Sequence, residues 1–246
     1  MTEFSRLAER FDPSAYAYAH RGLWTIDGPP ENSLAAFLAA ADHGLGIEFD
    51  VRPAADGIPV IFHDPVLNRT TNQDGPVETR TGAELTGISL IGGGTIITLE
   101  TLLQAWPATT PLLCEMKIDG DTDPAQFAGS VAALINHHSG PAAMMSFSTD
   151  AVAAIPDHIQ RGQLILPSSM NEASDPAATP TIDVDYLACH VSDAANPGLQ
   201  SARANLPLIT WTVKDLATCE ALSAITDSQI FEGFNPALAK RHILNT

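Results

Sequence analysis

Basic residues are scarce in this chain. Its 246 residues include 12 Lys and Arg against 29 Asp and Glu, which gives a formal net charge of −17. Nucleic-acid binding depends on basic side chains that neutralise phosphates, so this balance argues against a nucleic-acid partner. We interpret the acidic surface as a solubility feature. An Arg or Lys that lies among acids and histidines is therefore a candidate for a specific role.

Cysteine and long apolar runs are scarce as well. Cys114, Cys189 and Cys219 are odd in number and widely spaced, which indicates buried thiols in a reducing compartment rather than a disulfide framework. No run approaches the roughly 18 apolar residues that can span a bilayer. The first residues also lack the basic start and apolar core of a signal peptide. We expect a cytoplasmic protein without a transmembrane segment, and the residues leave its oligomeric state open.

What the chain does contain is an alternation of strand and helix patterns. Apolar residues make up 45% of it and no composition break marks a linker, so we expect one domain over residues 1–246. Eight apolar runs are strand candidates, at residues 16–20, 46–51, 112–116, 143–147, 163–166, 186–190, 208–212 and 229–232. Helix patterns lie at 34–43, 98–105, 124–137, 197–205 and 215–224, whereas 167–180 has the composition of a long loop. Eight β/α units in a chain of this length predict a closed (β/α)8 TIM barrel.

A hairpin interrupts this alternation after the second strand. Only six residues separate that strand from the next apolar run, and they include Asp56-Gly57, a hairpin signal. A parallel strand would need a crossover of a dozen or more residues. We therefore expect residues 58–63 to return antiparallel to the second strand. The polar, turn-rich stretch of about 65–97 that follows is predicted to be a small insertion.

Carboxylates recur two residues apart on the strand candidates. Glu48 and Asp50 would share one face of a strand, since alternate side chains point the same way. Such pairs are usually a solvated strand face, but the residues around them are apolar and favour a buried pair. Hard oxygen ligands suit Mg²⁺ or Ca²⁺. Together with Glu115, on a later strand, they are predicted to bind one divalent metal ion.

Histidines and two cations accompany these acids at the predicted strand ends, where TIM barrels carry their active sites. His20 and His63 suit proton transfer near neutral pH. Arg21 and Lys117 suit contacts to phosphate oxygens. These residues with the carboxylates describe a site for a phosphate ester. Two simpler alternatives stay open here, a hydrogen-bonded core histidine at position 20 and an ion pair between Lys117 and its strand neighbour.

The order of these motifs resembles the glycerophosphodiester phosphodiesterase family. The resemblance is carried by His20-Arg21-Gly22, Pro30-Glu31-Asn32-Ser33, Glu48-Phe49-Asp50-Val51, His63-Asp64, Arg69-Thr70-Thr71, Thr98-Leu99-Glu100 and Glu115-Met116-Lys117. It is dense to about residue 117 and thin afterwards. It implies metal-dependent hydrolysis of glycerophosphodiesters to glycerol 3-phosphate and an alcohol. It further implies an attack by the neighbouring glycerol hydroxyl through a cyclic phosphate, and an aromatic pocket floor at Trp211.

Two stretches depart from the family pattern. The family commonly has Asn after Trp-Thr-Val, where this chain has Lys214, and a Thr-Asp-x-Pro motif near the C-terminus, where this chain reads 231–236 as Phe-Glu-Gly-Phe-Asn-Pro. Both lie at predicted strand ends that would border the alcohol side of the substrate. Two alternatives are a related barrel phosphodiesterase, such as a lysophospholipase D or a phospholipase C-like enzyme, and a non-catalytic barrel that binds polyol phosphates. His190 closes an apolar strand and could reach the barrel mouth, although a structural role is favoured.

Overall fold

A closed barrel of parallel strands forms the centre of the computed structural model, which describes residues 10–168 and 182–245. The strands are β1 (Tyr18–His20), β2 (Gly46–Pro53), β3 (Pro59–Ile61), β4 (Leu112–Met116), β5 (Ala142–Ser146), β6 (Gln160–Ile165), β7 (Tyr186–His190), β8 (Leu208–Val213) and β9 (Ser228–Phe231). The sheet order is β1-β9-β8-β7-β6-β5-β4-β2-β3, and β1 also pairs with β2. That pairing closes eight strands into a barrel and leaves β3 outside it. The predicted (β/α)8 barrel is confirmed.

Helices follow most of the barrel strands in the described ranges. They are α1 (Leu34–Asp42), α2 (Gly82–Thr86), α3 (Leu99–Ala105), α4 (Pro124–Ile135), α5 (Thr149–Ala153), α6 (Pro197–Arg203), α7 (Leu216–Leu222) and α8 (Pro236–Leu244). Helices α2, α5 and α8 were not predicted from the sequence. Most of the predicted loop at 167–180 lies outside the described residues.

Side-chain caps define where several of these helices begin. Ser33 accepts a hydrogen bond from the amide of Ala36 at the start of α1, and Gly44 follows its end at φ 61°. Asn235 caps α8 in the same way, and Pro236 occupies its first turn. The Asn-Pro pair is thus a helix-start signal that the sequence carried for α8.

The hairpin after β2 returns antiparallel, as predicted. Val51 pairs with Ile61, and the amide of Phe62 donates to the Asp50 carbonyl at 3.0 Å. The Arg52 side chain holds the carbonyl of His63 at 2.8 Å. These contacts bring His63 back beside the second strand. The insertion after it packs its own small apolar cluster against the hairpin, and this cluster includes Leu67, Val77, Leu85, Leu90 and Ile96.

The barrel interior changes from apolar to polar along the strands. Paired residues of neighbouring parallel strands face the same side. At the lower level the interior contains apolar side chains, among them Tyr18, Leu113 and Ile230. Two residues further along each of these strands lie the inward positions of His20, Glu115 and Glu232. The alternation that fills the core therefore also places the polar groups at the carboxyl ends of the strands.

Two expectations from composition can be compared with the structure. All three cysteines are free and buried. Across residues 10–168 and 182–245, no helix has the length and apolar character needed to cross a membrane.

Candidate active site

A cavity of about 490 Å³ opens at the carboxyl ends of the barrel strands. Seven of the eight predicted site residues line it: His20, Arg21, Glu48, His63, Glu115, Lys117 and Trp211. The eighth, Asp50, is 1% exposed and lies directly beneath, in contact with both cations of the site. The structure thus brings together every residue that the sequence analysis assigned to the site.

The turn after β1 aims Arg21 into the cavity. Arg21 itself has a left-handed backbone at φ 55°, a conformation that non-glycine residues seldom adopt. Gly22 follows at φ 83°, and a Cβ there would lie 2.7 Å from the Ala36 backbone, so the turn requires glycine. The Arg21 amide donates to the Glu48 carbonyl at 2.8 Å. The strained backbone is therefore fixed against the strand that carries the carboxylates.

Three buried carboxylates form a group that fits a divalent metal ion. Glu48, Asp50 and Glu115 each offer an oxygen, and these oxygens lie within 4.8 Å of one another. Burial, followed by repulsion from the other two carboxylates, raises the pKa of Glu48 well above its usual value. Its Oε1 is buried without a hydrogen-bond partner among the described residues. A buried carboxylate oxygen with no partner is costly, and a bound cation would satisfy it.

Asp50 is a carboxylate whose two oxygens both have partners in the protein. Its Oδ2 accepts a hydrogen bond from the Asn32 side-chain amide at 2.8 Å and lies 3.2 Å from Arg21 Nε, while Oδ1 is 3.0 Å from Lys117 Nζ. Burial alone would raise the pKa of Asp50, but the charges of Lys117 and Arg21 outweigh it and lower the pKa far below its usual range. Lys117 also lies 2.5 Å from Glu115. The ion pair considered for Lys117 is thus present, in addition to its place in the cavity wall.

His20 is hydrogen-bonded to a carboxylate that the sequence analysis did not assign. Its Nδ1 is 2.5 Å from Glu232 Oε2, and its Nε2 faces Glu48 at 3.9 Å. Burial lowers the pKa of His20 below its usual value. Burial would raise the pKa of Glu232, but the contacts to His20 and Lys214 lower it to about 2. At neutral pH the pair is therefore a neutral imidazole that donates Nδ1–H to a carboxylate.

His63 has a similar partner, its neighbour in the chain. Its Nδ1 is 2.6 Å from Asp64 Oδ1. Burial lowers the pKa of His63, and hydrogen bonds from Arg69 and His63 outweigh burial to hold the pKa of Asp64 at about 2. Burial thus favours the neutral form of both His20 and His63, and each neutral ring has its other nitrogen available to accept a proton.

Arg69, from the insertion, connects the two sides of the site. Its guanidinium forms two hydrogen bonds to Asp64, at 2.6 and 3.0 Å, and two to Glu31, both at 2.8 Å. Glu31 in turn accepts a hydrogen bond from Arg21 at 2.8 Å. Planar guanidinium groups suit such paired contacts with carboxylates. A continuous network of alternating charges therefore joins the partner of His63 to the cation beside Asp50.

Aromatic side chains line the opposite wall of the cavity. The ring of Trp211 packs edge-on against Phe147 and His190, with ring centroids 5.6 and 5.2 Å away. His190, for which a structural role was favoured, thus lines the cavity. Trp24, from the turn after β1, also lines it. An apolar wall facing a charged wall suits a substrate with an anionic centre and a less polar arm.

Glu232, Lys214 and Asn32 are the site residues that sequence reasoning missed. Strand alternation would have placed Glu232 inward, two residues after the buried Ile230. Asn32 was quoted only as part of a family motif, and in the structure it donates to Asp50 while its neighbour Ser33 caps α1. The pairing of β8 with β9 shifts register between Thr210 and Val213, so simple alternation does not reach Lys214.

A model of the Glycerophosphoryl diester phosphodiesterase family matches residues 20–225. Among curated proteins, Glycerophosphodiester phosphodiesterase 1 of Bos taurus is 48% identical over 60 residues, which are 24% of this chain and 18% of that protein. A Glycerophosphodiester phosphodiesterase of Bacillus altitudinis is 45% identical over 69 residues, 28% of this chain and 27% of that one. The matched segments thus span less than a third of the length of these relatives.

Solved structures match over nearly the whole chain. A phosphodiesterase from Oleispira antarctica, solved in complex with the product sn-glycerol-3-phosphate, has a TM-score of 0.78 at 24% identity and covers 94% of this chain and 97% of that one. A glycerophosphodiester phosphodiesterase from Thermotoga maritima has a TM-score of 0.72 at 21% identity, with 88% and 94% covered. At these identities the likeness supports the shared fold.

Proposed function

Since the chain belongs to the glycerophosphoryl diester phosphodiesterase family, we propose that it hydrolyses glycerophosphodiesters to glycerol 3-phosphate and an alcohol. One observation carries the proposal. Two histidines, each hydrogen-bonded through Nδ1 to a carboxylate, lie in one cavity with three clustered carboxylates and two cations. The family match includes all eight of the residues that were assigned to this site from the sequence.

Glu48, Asp50 and Glu115 are the residues that would hold a divalent metal ion, Mg²⁺ or Ca²⁺. The partnerless oxygen of Glu48 supports this assignment. When bound, a hard cation supplies Lewis-acid neutralisation of the phosphodiester charge. Within the cluster, two protein cations face three carboxylates. Burial and repulsion between these carboxylates raise the pKa of Glu48, and a bound metal ion would favour its ionised form.

Arg21 and Lys117 bind the phosphate in this proposal. Both line the cavity while contacting Asp50 from opposite sides. These ion pairs fix the two side chains before substrate arrives, so little ordering is needed on binding. Arg21 and Lys117 each have more N–H donors than their contacts with Glu31, Asp50 and Glu115 use, which leaves donors for phosphate oxygens.

His20 and His63 carry the proton transfers. One ring accepts the proton of the attacking hydroxyl as the new P–O bond forms. The other ring, which must first be protonated on both nitrogens, gives the proton on Nε2 to the departing alkoxide as the old P–O bond breaks. The attacking oxygen comes from the neighbouring glycerol hydroxyl, giving a cyclic phosphate that water then opens, or from water directly. Direct attack by water needs these two proton transfers once, whereas opening of the cyclic phosphate by water repeats them with the roles of the two rings exchanged. Phosphorus NMR of the reaction mixture distinguishes the routes by the cyclic intermediate.

The experiment that tests the proposed function is turnover of a glycerophosphodiester panel, with lysophospholipids included, before and after chelation. We expect release of glycerol 3-phosphate that EDTA abolishes and added Mg²⁺ or Ca²⁺ restores. Preference for lysophospholipids would favour the related lysophospholipase D activity. Binding of glycerol 3-phosphate without turnover of any diester would favour a non-catalytic barrel, and full activity after exhaustive chelation would overturn the metal assignment.

Three further expectations stay predictions. The single-domain organisation of residues 1–246, the cytoplasmic location and the lack of a nucleic-acid partner follow from composition. The three buried free thiols are consistent with a reducing compartment.

A further inference from the structure

We propose that Glu232, itself held by Lys214, is a positioning residue that fixes the imidazole of His20 for proton transfer. The inference rests on the proposed function, because it assigns His20 a proton to move. Lys214 and Glu232 lie in the two stretches where this chain departs from the family pattern. The departures are therefore connected, and both are directed to one side chain of the site.

The hydrogen bond between the two side chains determines which ring nitrogen faces the reaction. Glu232 is ionised at neutral pH and can only accept, so the His20 Nδ1 that lies 2.5 Å away must carry the proton. The other nitrogen, Nε2, then presents its lone pair toward the carboxylate cluster, 3.9 Å from Glu48. A histidine without such a partner would rotate and exchange between its two neutral tautomers.

The barrel itself holds Glu232 in place. β9 pairs with β1, with Ala19 opposite Phe231, so Glu232 follows directly beside the strand that carries His20. Its amide donates to the Val213 carbonyl at 2.9 Å, which anchors the backbone to β8 as well. The carboxylate therefore reaches His20 from a backbone fixed on both sides.

Lys214 offsets the negative charge that Glu232 adds to the cavity. A further carboxylate in a cavity built for an anion would repel the phosphodiester. Lys214 Nζ lies 3.0 Å from Glu232 Oε1, the oxygen that does not contact His20, and its side chain is 69% exposed at the cavity mouth. One oxygen of Glu232 thus orients the His20 ring, and the charge on the other is offset by Lys214. Loss of Glu232 should lower kcat, whereas loss of Lys214 should mainly raise KM.

The test combines His-selective 15N NMR with kinetics on Glu232→Ala, Glu232→Gln and Lys214→Asn. In the unmodified protein we expect His20 as the Nδ1–H tautomer. Glu232→Ala should shift it toward Nε2–H and lower kcat about 10–100-fold with KM nearly unchanged, as for the partners of other functional histidines. Glu232→Gln keeps an acceptor oxygen and should recover part of kcat. Lys214→Asn should raise KM several-fold with kcat within about twofold.

A matched control is Asp227→Asn, which removes the ion pair of Asp227 with Arg203 just before β9, at the opposite end of the barrel. It should leave the His20 tautomer and kcat unchanged.

An unchanged tautomer, or wild-type kcat, in Glu232→Ala would overturn the inference. If that variant does not fold, the tautomer and kcat of Glu232→Gln decide in its place, because a glutamine with no effect on either would show that the charge and its orientation are dispensable. Should His20→Ala also keep wild-type kcat, the proton-transfer role of His20 fails rather than this inference alone, whereas no turnover by the unmodified protein would contradict the proposed function.

Discussion

His20 and His63 have similar supporting carboxylates that come from different parts of the chain. His63 is bonded to its neighbour Asp64, and Arg69 holds that carboxylate through two hydrogen bonds. His20 is bonded to Glu232, which is 212 residues away in the chain, and a single exposed lysine holds that carboxylate. One support is local and doubly bonded, whereas the other depends on closure of the barrel. The two histidines therefore have similar hydrogen bonds, but the carboxylate beside His63 is held by more contacts and lies close to it in the sequence.

The two supports also differ in what lies beyond them. The partner of His63 continues through Arg69 and Glu31 to Arg21, so it belongs to the charge network around the carboxylate cluster. The partner of His20 ends at Lys214 and solvent. A perturbation on the His63 side should therefore spread to phosphate binding, and one on the His20 side should stay local.

Loss of either ring should produce the largest effect. General acid–base groups contribute about 10²–10⁴-fold to rate. We expect His20→Ala and His63→Ala each to lose that much kcat on glycerophosphodiesters while metal and glycerol 3-phosphate still bind. Steady-state kinetics and calorimetry make the comparison. Full activity in either variant would show that the replaced histidine is not needed for proton transfer.

Glu48→Gln should act on both sides at once, because Glu48 lies between His20 and the rest of the carboxylate cluster. Metal affinity should fall by at least about 10–100-fold, with activity restored in part by excess metal. Without metal the variant should melt at a higher temperature than the wild type, since it removes repulsion between buried carboxylates. A lower melting temperature without metal would show that the carboxylates are not in conflict.

Arg69→Ala should weaken the support of His63 and leave the support of His20 intact. It leaves Asp64 and Glu31 without their shared guanidinium, so we expect kcat to fall about 10-fold and KM to rise. Arg80 belongs to the same insertion, and its side chain donates to the Asp74 carbonyl at 2.9 Å, away from Asp64 and Glu31, which makes Arg80→Ala the control. Equal kinetic effects from the two variants would mean that the insertion acts by folding alone.

Asp64→Asn should have a smaller, pH-dependent effect on stability. The pKa of Asp64 is lowered from 3.8 to about 2, so its stabilising contribution is present above pH 3.8 and is lost as pH falls through about 2. We expect the variant to be less stable by about 1–2 kcal/mol at neutral pH, allowing for solvent screening. Urea melts from pH 7 to pH 2 should show the difference disappear. A constant difference across that range would rule out the ionised pair as its source.

Sequence patterns predicted most of the fold because the β/α alternation is local. Short turns and caps such as Ser33 and Gly44 mark boundaries, and Asp56-Gly57 forces the hairpin. The site residues near the start of the chain were predicted for the same reason, since strand alternation decides which side chains share a face. Their coming together in one cavity depended only on the barrel closing.

The His20 partner could not be predicted in that way. Its contact joins the first and last strands, and no local pattern states which residue of β9 meets β1. The register shift in β8 hides Lys214 further. Strand alternation places Glu232 inward without naming its partner, and Lys214 was recognisable only as a departure from a family motif. The nearby Asp64 needed no such long-range information.

His20 and His63 perform different proton transfers in the proposed mechanism, and the dependence of kcat on the leaving group tests this division most directly. A nitrophenyl ester of glycerol phosphate needs little protonation as its alcohol departs. The measurement is kcat for His20→Ala and His63→Ala on this substrate and on a natural glycerophosphodiester. We expect the nitrophenyl ester to rescue one variant, which identifies the general acid, and to leave the other impaired. Equal rescue of both, or of neither, would contradict the division of labour between the two histidines.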